Sequence, residues 1–439
     1  MRLDDWINKK IFNKKEAKLT RQELEDYQLK RINDLIKYTK ENSTFYKELY
    51  KDIDKINSLE ELQKIPVIKK KDILENGNKM VCVSQSDISR IVSLDTSGTT
   101  GRCKRVYFTE EDQNLTVDFF NQGLSLLVES GDRMLIMLPY ERENGVGDLI
   151  KQSLINIKVE PILNGVLKSC KDTIKLMIDN HVNSIVGMPV DILALGRYIK
   201  HNNLNIKIKS ILLSADIVNS TIINEIKNVY NCEVFNHFGM TESGLGGAVD
   251  CKYHNGMHIR ENDLLIEIVN PITNENVKDG ESGEILITTL TRKAMPLIRY
   301  ATGDICAFIT DNCRCNSVLK RLDNIKYRID DRANISENIK ININQLDEKL
   351  FQFKNLINYK VCVENINNKF QLNLELAFLQ DNISISDEIL ANQIKESLLN
   401  IYRVKKSHDL NLLDINTKIT YTNEWIPYYK GKRKIICEG

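Results

Sequence analysis

The sequence predicts an α/β protein with two domains: a large N-terminal layered α/β domain that ends in a β-rich subdomain, and a small C-terminal α+β domain. Three observations lead to this prediction. The chain has 439 residues, too many for one ordinary core. Short apolar runs alternate with helical periodicity from about residue 91, and the pattern changes after residue 255 and again after residue 331. We place the domain boundary near Asp330, which gives domains of residues 1–329 and 330–439.

The first part of the large domain shows alternating helix and strand patterns. Residues 16–50 carry apolar side chains at spacings of three and four, which is typical of helices packed on a core. Beyond them, strands that alternate with helices indicate parallel βαβ units. The predicted strands are residues 90–95, 133–139, 184–186, 210–213 and 233–235, and the predicted helices are residues 112–129, 174–180 and 220–230.

The second part of the chain has a different pattern. After residue 255, strand-like runs follow one another across Pro, Asn and Gly turns, which predicts a β-rich subdomain. Its predicted strands are residues 264–269, 283–289 and 304–309. The C-terminal domain is predicted to contain helices at residues 346–353 and 388–402 and strands at residues 359–364, 370–378 and 417–421.

Composition argues against several classes of protein. Lys and Arg number 61 and Asp and Glu 60, so the basic surplus typical of nucleic-acid binding is absent. No apolar stretch approaches the roughly 20 residues that span a bilayer, and the N-terminus does not have the pattern of a secretory signal. We therefore expect a cytoplasmic protein without a membrane partner. Its ten cysteines are then expected to be free thiols or metal ligands.

The strongest local signal is the segment Asp95-Thr-Ser-Gly-Thr-Thr-Gly-Arg-Cys-Lys104. Glycines let a backbone approach an anion closely, while hydroxyl groups, N–H groups and a lysine donate to phosphate oxygens. The spacing differs from a Walker A loop, and a polar surface turn is the alternative. The candidate phosphate-binding residues are Ser97, Gly98, Thr99, Thr100, Gly101 and Lys104.

Two further segments suit nucleotide binding. Asn236-His-Phe-Gly-Met-Thr-Glu-Ser243 follows a short strand and offers a hydroxyl for phosphate, a carboxylate for Mg²⁺ and an aromatic ring that can cover a purine. Arg299-Tyr-Ala-Thr-Gly-Asp304 places a carboxylate after a glycine turn, where it could bind two ribose hydroxyls. Chance pairing of Thr with Glu, and an ordinary turn Asp, are the alternatives.

Two further segments lie towards the C-terminus. Arg328-Ile-Asp-Asp331 falls at the predicted domain boundary, and Pro427-Tyr-Tyr-Lys-Gly-Lys432 lies near the end of the chain. A lysine in such a position is ordinarily a solvated surface charge. Whether Lys432 has a functional role therefore depends on the order of all five segments along the chain.

The order and spacing of the five segments resemble the signature series of adenylate-forming enzymes, the superfamily of acyl-CoA synthetases, adenylation domains and luciferases. The likeness is greatest to the phenylacetate–CoA ligase branch, and it is densest within residues 239–304. The resemblance implies the adenylate-forming enzyme fold, with a large AMP-binding domain and a small mobile C-terminal domain.

The resemblance also implies roles for individual residues. Lys104 and the preceding loop would hold the β- and γ-phosphates of ATP. Thr241 would contact the α-phosphate, Glu242 would bind Mg²⁺, and Lys432 would enter the site during adenylation. The remaining implied roles are adenine binding by Ser214, Ala215, Asp216, Asn236, His237 and Phe238, ribose binding by Asp304 and Arg328, and a hinge at Asp330.

The implied function is ATP-dependent activation of a small-molecule carboxylic acid, expected to be aromatic, to an acyl-adenylate. Transfer to CoA would then give a thioester, AMP and pyrophosphate. Residues 332–336 depart from the glycine-bearing turn that usually lines the CoA tunnel. Delivery to a carrier protein, or an AMP conjugate as the end product, is therefore the enzymatic alternative. A degenerate nucleotide-binding scaffold is the non-enzymatic alternative, and the joint retention of Lys104, Glu242, Asp304 and Lys432 argues against it.

The sequence leaves the acid and the oligomeric state open. Tyr140, Gly145 and Gly147 are candidates for lining an acid pocket, because glycine-rich walls leave room for a flat ring. A plain loop is the alternative. Dimers are common in this branch, so a homodimer is one expectation.

A Cys/His set suggests a structural zinc site. Cys251, His258, Cys313 and Cys315 could form a closed tetrahedral site, with His254 as the alternative to His258. The spacing is not that of a common zinc finger, but some relatives in the phenylacetate–CoA ligase branch carry a similar set. Free thiols are the alternative interpretation.

Overall fold

A computed structural model of the chain describes residues 3–12, 18–94, 103–380, 385–429 and 432–438. The chain divides into two compact units, each assembled from separate segments. Unit 1 comprises Met1–Ser130, Arg142–Lys158 and Phe235–Asn324. Unit 2 comprises Gly131–Glu141, Val159–Val234 and Ile325–Gly439.

The described residues form twelve α-helices and twenty strands. The helices are α1 Leu3–Phe12, α2 Arg21–Asn42, α3 Thr44–Leu49, α4 Lys70–Asn76, α5 Glu110–Leu124, α6 Val146–Asn156, α7 Cys170–Asp179, α8 Pro189–His201, α9 Ser220–Tyr230, α10 Ile343–Leu350, α11 Asp387–Leu399 and α12 Tyr402–Asp409. The strands are β1 Arg90–Leu94, β2 Lys104–Phe108, β3 Arg133–Met137, β4 Glu160–Leu163, β5 Ser184–Gly187, β6 Ser210–Leu213, β7 Glu233–Phe238, β8 Ala248–Asp250, β9 Met257–Ile259, β10 Leu264–Val269, β11 Gly283–Thr289, β12 Tyr300–Cys306, β13 Arg321–Leu322, β14 Tyr327–Arg328, β15 Ala333–Ser336, β16 Ile339–Ile341, β17 Leu356–Ile366, β18 Lys369–Leu379, β19 Leu413–Thr422 and β20 Ile436–Glu438.

Unit 1 is built on antiparallel strands. β10, β11 and β12 pair in sequence order, with a bulge where β11 meets β12. The ladder β7–β8–β9–β13 is also antiparallel, and β1 with β2 forms a hairpin. The long helix α2 begins with a capping box at Thr20 and Glu23, which satisfies the first backbone N–H groups of the helix.

Unit 2 contains a parallel sheet with the strand order β6-β5-β3-β4. Strands β3, β5 and β6 are mostly apolar and buried, as expected for strands covered on both faces, whereas the edge strand β4 is partly exposed. A second sheet has the order β19-β18-β17-β20, in which β18 pairs antiparallel with β17 and parallel with β19. One continuous cluster of buried apolar residues joins the parallel sheet, its helices and the C-terminal sheet.

A buried arginine links α8 to the start of the C-terminal sheet. Arg197 donates to the carbonyl oxygens of Phe351 at 2.6 Å and Phe353 at 3.0 Å, and also to that of Leu356. Its guanidinium pairs with Glu225 at 3.0 Å. Main-chain acceptors that would otherwise be buried without a donor are thereby satisfied.

The α/β class predicted from the sequence is confirmed. The predicted strands at 210–213, 264–269 and 283–289 and the helix at 220–230 match β6, β10, β11 and α9. α8 was not predicted because it is buried on nearly all sides and shows little polar periodicity.

Two predicted elements need correction. The strand predicted to begin at Asp304 begins at Tyr300 and ends at Cys306, because the glycine turn is a bulge within β12. The helix predicted at 388–402 is two helices, α11 and α12. The predicted domain boundary at Asp330 falls in an exposed turn between β14 and β15 and stays a prediction. Within the described ranges, no helix is both long and apolar enough to cross a membrane.

Candidate functional site

The predicted phosphate loop joins the two strands of a hairpin. Ser97, Gly98, Thr99, Thr100 and Gly101 lie outside the described residues. Leu94 at the end of β1 is the register partner of Lys104 at the start of β2. The ladder therefore fixes both ends of the loop, and it fixes the backbone of the lysine as well.

Lys104, Glu242 and Tyr300 form a buried polar cluster in unit 1. The ammonium of Lys104 pairs with the Glu242 carboxylate and lies 3.3 Å from the Tyr300 hydroxyl. That hydroxyl donates to Glu242 Oε1 at 3.2 Å. Lys104 is 8% exposed and Glu242 2% exposed, so both charges lie where water screens them little. Two residues 138 positions apart thus meet, as the predicted phosphate and Mg²⁺ roles require.

Buried cations hold the turn that carries Thr241 and Glu242. The turn spans Thr241–Ser243 directly after β7. Arg292 donates to the Glu242 carbonyl oxygen at 2.8 Å, and Arg260 donates to the Ser243 carbonyl oxygen at 3.2 Å. Burial lowers the pKa of Arg292 to about 10, so it remains a cation at neutral pH.

A close backbone approach explains the glycine of this motif. A Cβ on Gly239 would lie 2.0 Å from the carbonyl oxygen of Leu245, a separation no side chain tolerates. Leu245 itself has a positive φ of 65°. Glycine at 239 therefore lets the chain reverse tightly and bring Glu242 back towards Lys104.

The last residues of β7 differ in their surroundings. The N–H of Asn236 donates to the Asp250 carboxylate at 2.9 Å, and its side-chain amide donates to Asn324 Oδ1 at 2.7 Å. Phe238 is buried. His237 packs between Phe119 and Phe120, with ring centroids 6.4 and 6.0 Å away, and burial lowers its pKa to about 4. The adenine roles of these three residues stay predictions.

Asp304 lies within the bulge of β12 rather than at the start of a strand. Gly303 has a φ of 78°, and the Asp304 N–H donates to the Thr302 hydroxyl at 3.0 Å. Asp304 is buried. The bulge therefore fixes the position of the carboxylate that is predicted to bind ribose.

In unit 2, the predicted adenine turn follows β6 at the carboxyl edge of the parallel sheet, where such folds bind ligands. Ser214 is buried, and Ala215 adopts a positive φ of 70° that is uncommon for alanine. Burial raises the pKa of Asp216, while the nearby Arg433 and Lys432 act in the opposite direction. The sequence predicted this turn, but it did not predict the positive φ of Ala215.

A small cavity in unit 2 brings together residues from three predicted segments. Asp216, Arg328, Asp331 and Lys432 line it, together with Arg433. Its volume is about 20 Å³, room for about one water molecule. A ribose could enter only if the cavity enlarged, which fits the mobile domain and the Asp330 hinge that the resemblance predicts.

The predicted acid-pocket residues are divided between the units. In unit 2, Tyr140 lies against Gly165, where an added Cβ would be 3.4 Å from the Tyr140 ring. In unit 1, Gly145 and Gly147 are not in a plain loop: Gly145 is the N-cap of α6 and Gly147 lies inside that helix. The acid-pocket role of these three residues stays a prediction.

Four side chains of unit 1 form a candidate metal centre. The ligand atoms of Cys251, His258, Cys313 and Cys315 all lie within 4.8 Å of one another. Sγ of Cys251 is 3.6 Å from Sγ of Cys313, and Sγ of Cys315 is 3.4 Å from Nε2 of His258. A tetrahedral zinc ion with ordinary bond lengths separates two sulfurs by about 3.8 Å and a sulfur from a nitrogen by about 3.6 Å. The donor set therefore fits zinc.

His254, the alternative ligand, lies outside this cluster. Its ring packs edge-on against Phe235 at 4.7 Å, and its Nδ1 is 3.7 Å from Asp250. The choice of His258 over His254 as a candidate ligand agrees with the geometry. Burial lowers the pKa of His258 to about 4, so the ring is neutral and able to bind a metal at neutral pH.

Comparison with known proteins shows the family of the chain. A family model described as AMP-binding enzyme matches residues 48–291, more than half of the chain. The chain belongs to the AMP-binding enzyme family. Residues 48–291 include the β1–β2 hairpin, Glu242 and the adenine turn.

Individual relatives confirm the resemblance to the phenylacetate–CoA ligase branch of this family. The chain is 25% identical over 429 residues to a phenylacetate–coenzyme A ligase of Escherichia coli, covering 93% of each chain. It is 25% identical over 399 residues to that of Thermus thermophilus, covering 86% of this chain and 87% of the relative. A 2-hydroxyisobutyryl-CoA ligase structure shares the fold, with a TM-score of 0.77 at 19% identity over 96% of this chain and 90% of the other.

Sequence reasoning missed three residues that contact or directly adjoin the predicted site residues. Tyr300 lies inside the quoted Tyr-Ala-Thr-Gly-Asp segment, and Arg433 directly follows Lys432, so proximity to a motif could have indicated both. Arg292 has no local motif, and its contact with the Glu242 turn depends on a long-range approach.

We predict strong energetic coupling between Lys104 and Glu242. Glu242→Gln leaves a buried ammonium without a counter-ion, so the free energy of unfolding should fall by about 3–5 kcal/mol. The double variant Lys104→Met/Glu242→Gln should lose less than the sum of the single variants, with a coupling energy of about 1–3 kcal/mol in denaturant titrations.

The exposed pair Glu48 and Lys51, 3.3 Å apart, is the matched control. Its cycle of Glu48→Gln and Lys51→Met should show a coupling energy below about 0.5 kcal/mol. Equal coupling in the two cycles would contradict the interpretation of Lys104 and Glu242 as a desolvated charge pair.

Proposed function

We propose that the protein is an AMP-forming carboxylate–CoA ligase that activates an acid, expected to be aromatic, with ATP and Mg²⁺. The observation that carries this proposal is the buried cluster of Lys104, Glu242 and Tyr300 at the base of the glycine-rich loop. Family membership and the printed activities of the relatives support it. Acyl-adenylate would form first, and transfer to CoA would release the thioester and AMP.

The chemistry requires concentrated positive charge. A carboxylate that attacks the α-phosphorus approaches an anion, and negative charge spreads over the phosphoryl oxygens in the transition state. Preorganised donors in a site with little water stabilise that charge, and each is worth roughly 3–4 kcal/mol. Lys104 and the hydroxyl-rich loop supply such donors in unit 1, and Lys432 and Arg328 supply them in unit 2.

Lys104 neutralises Glu242 before nucleotide binds. Glu242 would hold Mg²⁺, which would supply positive charge beside the phosphates, and the ammonium of Lys104 would then pair with a phosphate oxygen. Each charge then keeps an opposite partner throughout, so neither is left buried and unpaired. Tyr300 contacts both groups and can keep a hydrogen bond to Glu242 in either arrangement.

CoA is the favoured thiol acceptor. Residues 333–336, which depart from the usual glycine-bearing turn, form β15 and pair with β16. A carrier protein in place of CoA remains the alternative, because the path of the thiol depends on this segment. A homodimer and a cytoplasmic location also stay predictions.

Cys251, His258, Cys313 and Cys315 would hold a structural zinc ion. Four protein ligands leave no open coordination position, so the ion would tie β8, β9 and the segment around Cys315 together without entering the reaction.

The proposal predicts that ATP, Mg²⁺, CoA and a suitable aromatic acid yield AMP, pyrophosphate and an acyl-CoA thioester in equal amounts. A pyrophosphate-release screen over aromatic and aliphatic acids finds the acid, and mass spectrometry identifies the thioester. Acyl-AMP that is consumed only when a carrier protein is added would favour the alternative acceptor. No acid-dependent pyrophosphate release would contradict the proposal.

Lys432→Ala should slow acyl-AMP formation by about 10²–10³-fold, since it removes one preorganised donor. ATP affinity and the melting temperature should change little, because Lys432 is exposed. Lys434→Ala, which removes a neighbouring exposed lysine, is the control and should leave the rate unchanged. Equal adenylation rates in Lys432→Ala and the parent would refute the role of Lys432.

Purified protein should contain one zinc ion per chain by elemental analysis. Cys315→Ser should lose the ion and lower the melting temperature, because a four-ligand site contributes folding energy directly. Cys437→Ser, at an exposed thiol outside the cluster, should keep both. Protein that is free of zinc when purified without chelators would contradict the site.

A further inference from the structure

The segment that carries Lys432 has an alternating pattern of burial. Lys432 and Lys434 are exposed, whereas Arg433 and Ile435 are buried. Arg433 is only 9% exposed, which is unusual for an arginine beside a functional lysine near a chain end. The contacts that hold Arg433 therefore also fix the backbone position from which Lys432 extends.

Arg433 is held by a carboxylate of α10. Its Nη1 donates to both oxygens of Asp347, at 2.8 and 2.9 Å. Asp347 also accepts a hydrogen bond of 2.6 Å from the hydroxyl of Tyr359 on β17. The carboxylate thus accepts hydrogen bonds from two side chains. Hydrogen bonds of defined geometry therefore hold the charge pair, in addition to electrostatic attraction.

Aromatic rings surround the rest of the guanidinium. Its carbon lies 4.6 Å from the ring centroid of Tyr359, 5.3 Å from that of Phe351 and 5.9 Å from that of Tyr429. Nε and Nη2 have no hydrogen-bond acceptor within the described part of the chain. Cation–π attraction to the three rings therefore replaces hydrogen bonds for these two nitrogens.

The chain on either side of Lys432 is fixed independently. Asn358 donates to the carbonyl oxygen of Ile426 at 2.9 Å, and the N–H of Val361 donates to the Tyr429 hydroxyl at 3.3 Å. After Arg433, β20 pairs in parallel with β17. The contacts of Ile426 and Tyr429 and the pairing of β20 fix the chain before and after this segment. Arg433 is the anchored residue adjacent to Lys432.

We propose that Arg433 is a positioning residue: its clamp to Asp347 within the aromatic box fixes the backbone from which Lys432 reaches the reacting phosphate. This inference rests on the proposed adenylation role of Lys432. It also explains why a flexible side chain near a chain terminus can act as a preorganised donor. The clamp acts through Lys432 and does not itself contact the nucleotide.

The charges around Arg433 agree with this role. Burial raises the pKa of Asp347, and Arg433 counteracts that effect. Burial also raises the pKa of Asp191, to about 7, and Arg433 again acts in the opposite direction. Asp216 is influenced by Arg433 in the same way and lines the cavity beside Lys432. Asp347 bonds directly to the guanidinium, whereas the effect of Arg433 on Asp191 and Asp216 is a longer-range electrostatic attraction.

The test compares Arg433→Lys with the double variant Asp347→Asn/Arg433→Gln. Lysine keeps the charge but lacks the planar fork and stacks less well on aromatic rings. The double variant removes both members of the directly bonded pair, so neither is left buried without its partner. Lys434→Ala is the matched control on the same segment.

Three readouts are made on the full chain. Acyl-AMP formation is followed by pyrophosphate release, and transfer to CoA is followed separately from isolated acyl-AMP. Amide hydrogen exchange reports how well ordered residues 425–438 are, and this measurement does not depend on catalytic activity.

Both clamp variants should lower the kcat of acyl-AMP formation about 10–100-fold, because small misplacements of a reacting group have effects of this size. KM for ATP, the melting temperature and transfer from isolated acyl-AMP should stay close to those of the parent. Exchange at residues 425–438 should become faster.

Two results would overturn the inference. One is an unchanged adenylation rate in both variants, and the other is a parallel loss of both half-reactions together with the melting temperature, which a purely structural role produces. Lys432→Ala is measured alongside. If it also leaves adenylation intact, the proposed function of Lys432 fails; if it lowers adenylation while the clamp variants do not, the positioning role alone fails.

Discussion

The buried ion pair between Lys104 and Glu242 is the interaction on which the rest of the site depends. Two opposite charges removed from water are stable only while each has a partner, so the backbone must hold both exactly where they meet. The β1–β2 hairpin holds the lysine, and the turn after β7 holds the glutamate. The pair of Lys104 and Glu242 carries no net charge, and under the proposed function Mg²⁺ and phosphate would replace the two partners.

In unit 2, the charges near Lys432 are arranged differently. The buried guanidinium of Arg433 bonds to the carboxylate of Asp347, while Lys432 beside it stays exposed. A cation that is fully enclosed by carboxylate and aromatic rings can serve as an anchor, whereas an exposed neighbour is free to reach a ligand. Burial alternates along this short segment. Arg433 is therefore placed to hold the chain, while Lys432 is proposed to act on the nucleotide.

Part of this could be predicted from sequence because the information is local. Gly239 and the Thr241–Glu242 turn lie in one short segment whose residue types suit nucleotide binding, and the fold class follows from alternating helix and strand patterns. The Cys/His set was found from its residue types, although its spacing matches no common zinc finger. The clamp at Asp347 could not be predicted, because its partners are 86 positions apart and neither lies in a recognisable pattern. The burial of α8 and the bulge at Asp304 were also missed, since tertiary packing and strand register determine them.

The most direct test of the central claim is a crystal structure of the protein with Mg²⁺ and a non-hydrolysable ATP analogue. We expect Glu242 to bind the ion, Lys104 to have moved from Glu242 to a phosphate oxygen, and Tyr300 to remain bonded to Glu242. An intact pair between Lys104 and Glu242, with the nucleotide bound elsewhere, would contradict the account.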